Sequence, residues 1–241
     1  AKRVLWYVGP QAVLARTQLV GELGLSAAAY WTVGGEDAAQ WPMIRAYAQS
    51  LAPAGTDVAI TAPPAVVFGT PLPVAASVTS AGVPIANVPA SLQFRKKGTK
   101  KWVDVQTANT AADGSVGFQV RPTATGDWHV SVPHADARVE GVSAPVTVQL
   151  QSLVTARPKS SKVKAGGKVA VRGWARPAMA GKTLALQISD GTTWRNVDTA
   201  KENAKGRATL VGKAPKGKGR YTYRVVAVGK ATIVANASPE F

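Results

Sequence analysis

Turn and strand breaks recur in register along most of this chain, beginning near Val58 and running to its end. Leu92-Gln93 followed by Trp102 is matched by Leu186-Gln187 followed by Trp194. Asp113-Gly114 is matched by Lys205-Gly206, each a turn ahead of an alternating segment. Arg121-Pro122 answers to Ala214-Pro215, Gly126 to Gly219, Trp128 to Tyr221, and Val130-Ser131-Val132 to Tyr223-Arg224-Val225. A period of about ninety residues, made of short β-rich runs between Gly, Pro, Asn, Asp and Ser, points to one β unit used twice. In the second unit strands are expected near Leu153–Ala156, Lys168–Arg176, Thr183–Ser189, Arg195–Thr199, Ala208–Gly212, Gly219–Val228 and Ala231–Ala235. Alternation puts Leu184, Leu186 and Ile188 on one face of such a strand. Trp102 and Trp194 read as core aromatics. The expectation is two tandem β-sandwiches, over residues 54–151 and 152–241.

Residues 1–53 follow another grammar. Arg3 to Val8 is a short buried-strand run, broken by Gly9-Pro10. Gln11 to Leu23 has helix-forming composition, with Gly24 placed as a C-cap glycine. Ala27 to Val33 is a second strand candidate. A second helix carries Trp41, Ile44, Ala48 and Leu51 on one face, with Pro42 in its first turn. Order β-α-β-α belongs to parallel sheets and barrels, and two such strands cannot bury both sheet faces. The segment therefore reads as an incomplete (β/α)8-barrel remnant or a piece completed by another chain. Its apolar residues Val4, Leu5, Trp6 and Tyr30 lead us to expect self-association or a partner chain through residues 1–53. The adjacent Glu36 and Asp37 suit a helix N-terminus better than a catalytic pair, whose carboxylates stand about 5–9 Å apart across a glycosidic bond.

Charge divides the chain more sharply than hydrophobicity does. Of the net charge of +16, residues 1–53 and 54–152 carry +1 each and residues 153–241 carry +14. Such an excess draws polyanions through its field. Lys159, Lys162, Lys164, Lys168, Arg172 and Arg176 fall early in the basic segment, and Lys201, Lys205, Arg207, Lys213, Lys216, Lys218, Arg220 and Arg224 fall late. The run Ala214-Pro-Lys-Gly-Lys-Gly-Arg220 lies between strands, so Lys213, Lys216, Lys218 and Arg220 are the candidate polyanion-binding residues. A sandwich offers no recognition helix for a DNA groove, and no RNA-reading aromatic motif is evident. Anionic wall polymers are the better-fitting partner, with nucleic acid disfavoured. The 241 residues contain no cysteine, which removes disulfides and thiol chemistry, and no apolar run long enough to span a membrane. His129 and His134 flank Pro133 without the ligands a metal site needs. No cofactor and no metal is expected.

Two resemblances add to this reading. Val4 to Val13 (VLWYVGPQAV), Gly24-Leu25-Ser26 and Ala27 to Asp37 (AAAYWTVGGED) resemble the last two βα units of chitinase-like family-18 glycoside hydrolases. That resemblance implies a TIM-barrel fragment in which Trp31 floors a sugar subsite, with Tyr7 and Glu36 beside it as carbohydrate-binding residues. The family's Asp-x-x-Asp-x-Asp-x-Glu motif is absent from these residues, so no catalytic residue is assigned and the chain is expected to be inactive alone. The patterns VKAGGKVAVRG, then PAMAGKTLALQ and YTYRVV, resemble Ig-like modules appended to secreted bacterial enzymes and surface proteins. Together they imply a multidomain, mainly β chain: a barrel remnant followed by two Ig-like or fibronectin-III-like β-sandwiches. The implied function is the C-terminal portion of a secreted or cell-surface bacterial hydrolase, its modules serving attachment to cell wall or polysaccharide. The alternatives are a non-catalytic surface adhesion or structural protein, and nucleic-acid binding through the basic last module.

Overall fold

The computed structural model describes residue 3 and residues 8–25, 27–30, 36–135, 138–230 and 232–241. The chain divides into two compact units, residues 1–54 with 135–139, and residues 55–134 with 140–241. The expected strand Arg3–Val8 lies mostly outside the described residues, as do Tyr7 and Trp31.

In the first unit, helix α1 (Pro10–Glu22) opens with proline at its first position, where the missing N–H costs nothing. It closes at Leu23, and Gly24 follows at φ +65°. Helix α2 (Gln40–Leu51) begins behind Asp37, whose Oδ1 accepts the Ala39 N–H at 2.9 Å. Tyr47 donates its hydroxyl to the Gln18 carbonyl at 3.1 Å, tying the helices together. No residue of α1 is buried, and in α2 only Gln40 is. Residues 27–30 are not a strand, and no strand occurs among the described residues before Asp57. Among the described residues two helices pack on each other and no strand accompanies them, so a barrel remnant is not shown.

The second unit is all β. Its first half comprises β1 (Asp57–Thr61), β2 (Ala65–Val67), β3 (Leu72–Ser80), β4 (Val83–Pro84), β5 (Pro89–Lys96), β6 (Val103–Asn109), β7 (Ser115–Val120), β8 (Gly126–Val132), β9 (Gly141–Val142) and β10 (Val146–Gln151). Its second half comprises β11 (Leu153–Pro158), β12 (Lys168–Arg176), β13 (Thr183–Ser189), β14 (Trp194–Lys201), β15 (Arg207–Lys213), β16 (Tyr223–Ala227), β17 (Ile233–Val234) and β18 (Asn236–Ala237). In the first half β3 pairs with β1, β7 and β4, opposite a sheet ordered β10-β8-β5-β6. In the second, β11-β12-β15 lies opposite β14-β13-β16-β18. Both are β-sandwiches, antiparallel throughout except where β10 pairs in parallel with β2 and with β17.

Strand alternation builds each core. Leu72, Val74, Ala76, Val78 and Phe118 of one sheet pack with Leu92, Trp128 and Val130 of the other in the first. Val169, Val171, Ala175 and Leu210 of one sheet pack with Leu184, Leu186, Ile188 and Val225 of the other in the second. The expected strand Gly219–Val228 begins only at Tyr223, because Gly217 and Gly219 belong to a loop. The expected strand Ala231–Ala235 is divided: β17 leaves its own sandwich and pairs in parallel with β10, placing Ile233 in the first core.

The register also corrects the repeat. Gln93 opposes His129 and Gln187 opposes Arg224, so Trp128 corresponds to Tyr223 rather than Tyr221. The Gly114 and Gly206 correspondence stands. They sit at φ +74° and +73°, and each gives its carbonyl to a strand N–H, Val78 and Ala175 respectively, at 2.9 Å. A Cβ on Gly114 would lie 2.5 Å from the Val78 carbonyl oxygen, and one on Gly206 would collide with that of Ala175. Gly114→Ala and Gly206→Ala should each cost about 2–4 kcal/mol in urea unfolding, from left-handed backbone plus collision. Gly98→Ala, at φ +85° in open space, should cost about 1–2 kcal/mol from conformation alone. Equal losses at the three sites would contradict the collision.

Candidate functional site

The second sandwich ends in a cleft of about 720 Å³ between the loop before β12 and the loop before β16. Lys162 and Lys164 come from one loop, Lys218 and Arg220 from the other, and no acidic side chain lines the space. The structure thus joins two of the four sequence-assigned cations to two lysines from the opposite loop. Lys216 is exposed on the same loop but does not line the cleft. Lys213 ends β15, directly opposite Lys168 of β12.

The loop exists because of a length difference between the repeats. Nine residues, Ala214 to Thr222, run between β15 and β16, where five, Arg121 to Thr125, run between β7 and β8. The extra length holds the Lys-Gly-Lys-Gly-Arg run. Tyr221 donates its hydroxyl to the Gly217 carbonyl at 3.1 Å and so braces the loop from inside. A Cβ on Gly217 would stand 3.1 Å from that hydroxyl, so glycine lets the loop close on the ring. Beneath lies Tyr223, a buried core residue that borders the cleft; its hydroxyl is itself buried, with no partner among the described residues. Burial raises its pKa above the usual value, so it stays a hydrogen-bond donor at neutral pH.

A second feature repeats in both sandwiches. In the first, Gln93 Nε2 donates to Asp104 Oδ1 at 2.8 Å, which turns Gln93 Oε1 toward His129 Nε2 at 2.6 Å. His129 stacks on Trp102 at 3.7 Å, with the Arg95 guanidinium 4.6 Å from the same indole. Arg95 also pairs with Asp127 at 2.8 Å. In the second, Gln187 binds Asn196 at 2.9 Å and accepts from Arg224 Nε at 2.8 Å, and Arg224 lies 4.1 Å over Trp194. Both sheets slip register at the glutamine, between Leu92 and Gln93 and between Leu186 and Gln187. Trp102 and Trp194 are therefore half-buried outer-face residues and not core aromatics. The alternation of Leu186 and Ile188 with Gln187 carried the missed signal, since a strand that pairs Gln187 outward presents its neighbour's indole outward too.

Burial, and then the positive Arg95, hold the His129 pKa below its usual 6.5. Between the folded and unfolded values the unfolded chain binds the additional proton. His129 thus contributes stability that is full above about pH 6.5 and falls as the pH drops through its folded pKa. Chemical denaturation from pH 7.5 to 5 should show this loss, and His129→Gln should flatten the dependence. An unchanged pH profile in that variant would refute it.

No family model matches the chain, and no curated protein matches it. Solved structures do match: the D0-D1 domain of Intimin, at 17% identity over 75% of this chain and 95% of that one, with a TM-score of 0.30. A tetra-tandem repeat from the extending region of a large adhesion protein matches at 14% identity over 78% of this chain and 49% of that one, with a TM-score of 0.31. Scores this low carry no functional argument. The family-18 resemblance is corrected: no family model matches the chain, and the described residues before Asp57 hold two helices and no strand. The sugar-site role of Tyr7, Trp31 and Glu36 rested on that resemblance. Tyr7 and Trp31 lie outside the described residues, and Glu36 stands half-exposed in the bend before α2.

Proposed function

We propose that this chain is a non-catalytic, cell-surface or extracellular attachment module, with Ig-like sandwiches over residues 54–151 and 152–241. In this reading the second sandwich holds an anionic wall polymer or polysaccharide. The observation that carries it is the convergence of Lys162, Lys164, Lys218 and Arg220 on one cleft that no acidic side chain lines. Lys213 and Lys216 extend the same positive field, which reaches a polymer larger than the cleft.

The full chain should be retained on immobilised polygalacturonate or poly(glycerol phosphate) at about 50 mM salt and released by about 500 mM, since exposed charge pairs are screened within a few ångströms at that strength. Replacing Lys216, Lys218 and Arg220 together by serine should weaken binding about tenfold, at about 0.5 kcal/mol for each exposed contact. Retention that ignores salt would refute an electrostatic site.

The first unit favours a second, compatible role. Leu19, Leu23, Leu51 and Trp41 are 51%, 68%, 56% and 41% exposed on a helix pair that buries almost nothing. We infer that residues 1–53 self-associate or receive a partner chain through these side chains. Light scattering should show a mass rising with concentration, and Leu19→Lys with Leu23→Lys should return it to the monomer. A monomer at millimolar concentration in the unaltered chain would refute it.

A further inference from the structure

The cleft does not use all of the second sandwich's charge. In the β11-β12-β15 sheet, every second residue points away from the core. The register aligns those outward residues: Arg157 opposes Arg172, Lys168 opposes Lys213, and Trp174 opposes Arg207. Arg176 completes the row on β12. Six cations therefore share one exposed face, and none of the three strands contains an acidic residue.

Two aspects of this face are not explained by solubility. Like charges set directly opposite across strands are destabilising, yet the face contains two such pairs, Arg157 with Arg172 and Lys168 with Lys213. The first sandwich builds the corresponding face from β1, β3 and β7 with no basic residue at all and one acid, Asp57. The same fold thus stands without this charge. At the centre of the basic face Trp174 is half-buried, with Arg172 and Arg207 lining a hollow of about 320 Å³ beside it.

Resting on the attachment reading above, we propose that this sheet face binds an acidic polysaccharide, with one sugar ring seated on Trp174 and successive acidic groups on the surrounding arginines and lysines. Outward positions recur about every 6.6 Å along a strand and about 4.8 Å across the sheet, so the face offers a charge lattice to an extended chain rather than a point site. A flat indole between guanidinium groups suits a pyranose ring carrying carboxylates. Single-stranded nucleic acid is matched less well, because it is held by a series of rings that stack successive bases. This face presents one.

The test uses the full chain, polygalacturonate as probe, and neutral galactan and an oligothymidylate of equal charge as comparisons. Trp174→Ala, and separately Arg172→Gln with Arg207→Gln, should each lower affinity for polygalacturonate about tenfold. Trp174→Phe should retain most of it. Because Arg172→Gln relieves the opposition with Arg157, the polymer-free variant should unfold at a higher temperature than the unaltered chain. That separates lost binding from lost folding. If the face variants bind normally while the Lys216, Lys218 and Arg220 variant does not, the face proposal falls and the cleft reading stands. If the unaltered chain ignores polygalacturonate but holds poly(glycerol phosphate), the acidic-sugar assignment falls and attachment remains. Retention of neither overturns both. Tighter binding of oligothymidylate than of polygalacturonate also overturns the assignment to sugar.

Discussion

The two cores of the β unit are held by one shared joint. β17 belongs by sequence to the second sandwich, yet it completes the edge of the first by pairing with β10 and burying Ile233 there. The Thr125 N–H donates to the Thr232 carbonyl at 3.1 Å, and Asn236 Nδ2 donates to the Ser152 carbonyl at 2.8 Å. Beneath, Lys182 Nζ is fully buried, 3.0 Å from Ser152 Oγ and 4.0 Å from Glu202 Oε1. Glu202 Oε1 in turn accepts the Met179 N–H at 2.6 Å. Burial lowers the Lys182 pKa and the nearby carboxylate opposes that shift. Losing either charge would leave the other uncompensated in the interior, a cost of about 3–5 kcal/mol. The orientation of the basic face relative to the first sandwich follows from this joint.

The repeat shows how one framework takes two characters. Gln93 and Gln187, Trp102 and Trp194, and Gly114 and Gly206 keep the same geometric work in both halves. The differences lie where they do not disturb the core: in the longer Ala214–Thr222 loop and in the outward residues of β11, β12 and β15. Position 128 carries a tryptophan packed on Phe94 at 4.6 Å, whereas its counterpart is Tyr223, stacked on Phe241 at 6.3 Å. Substitution at an outward or loop position changes surface chemistry at little cost to packing, and for that reason charge accumulates there.

Much of the β architecture was legible because alternation and turn glycines are local signals. Leu184, Leu186 and Ile188 announce their strand, and Gly206 announces its turn, without reference to anything distant. The repeat was misaligned by two residues after Pro215, since Tyr221 and Tyr223 alternate equally well and only cross-strand pairing separates them. The first fifty residues carry a signal of the same local kind. Their apolar runs fit a barrel strand, but a short run does not say whether a sheet is present to receive it. Two of the cations expected from the sequence to hold a polyanion, Lys218 and Arg220, line the cleft. Lys162 and Lys164 were missed as partners because about fifty residues of sequence separate the two loops.

By itself the sequence determined a mainly β chain with a twofold repeat and a charge concentrated in residues 153–241, because composition and period are properties of order along the chain. Only the tertiary structure decided that Arg157, Arg172, Lys168, Lys213 and Arg207 share a face around Trp174. Only it moved Ile233 into the neighbouring core. Both depend on which strands pair and in which register, and that choice is made by burying two sets of apolar side chains at once rather than by any local preference.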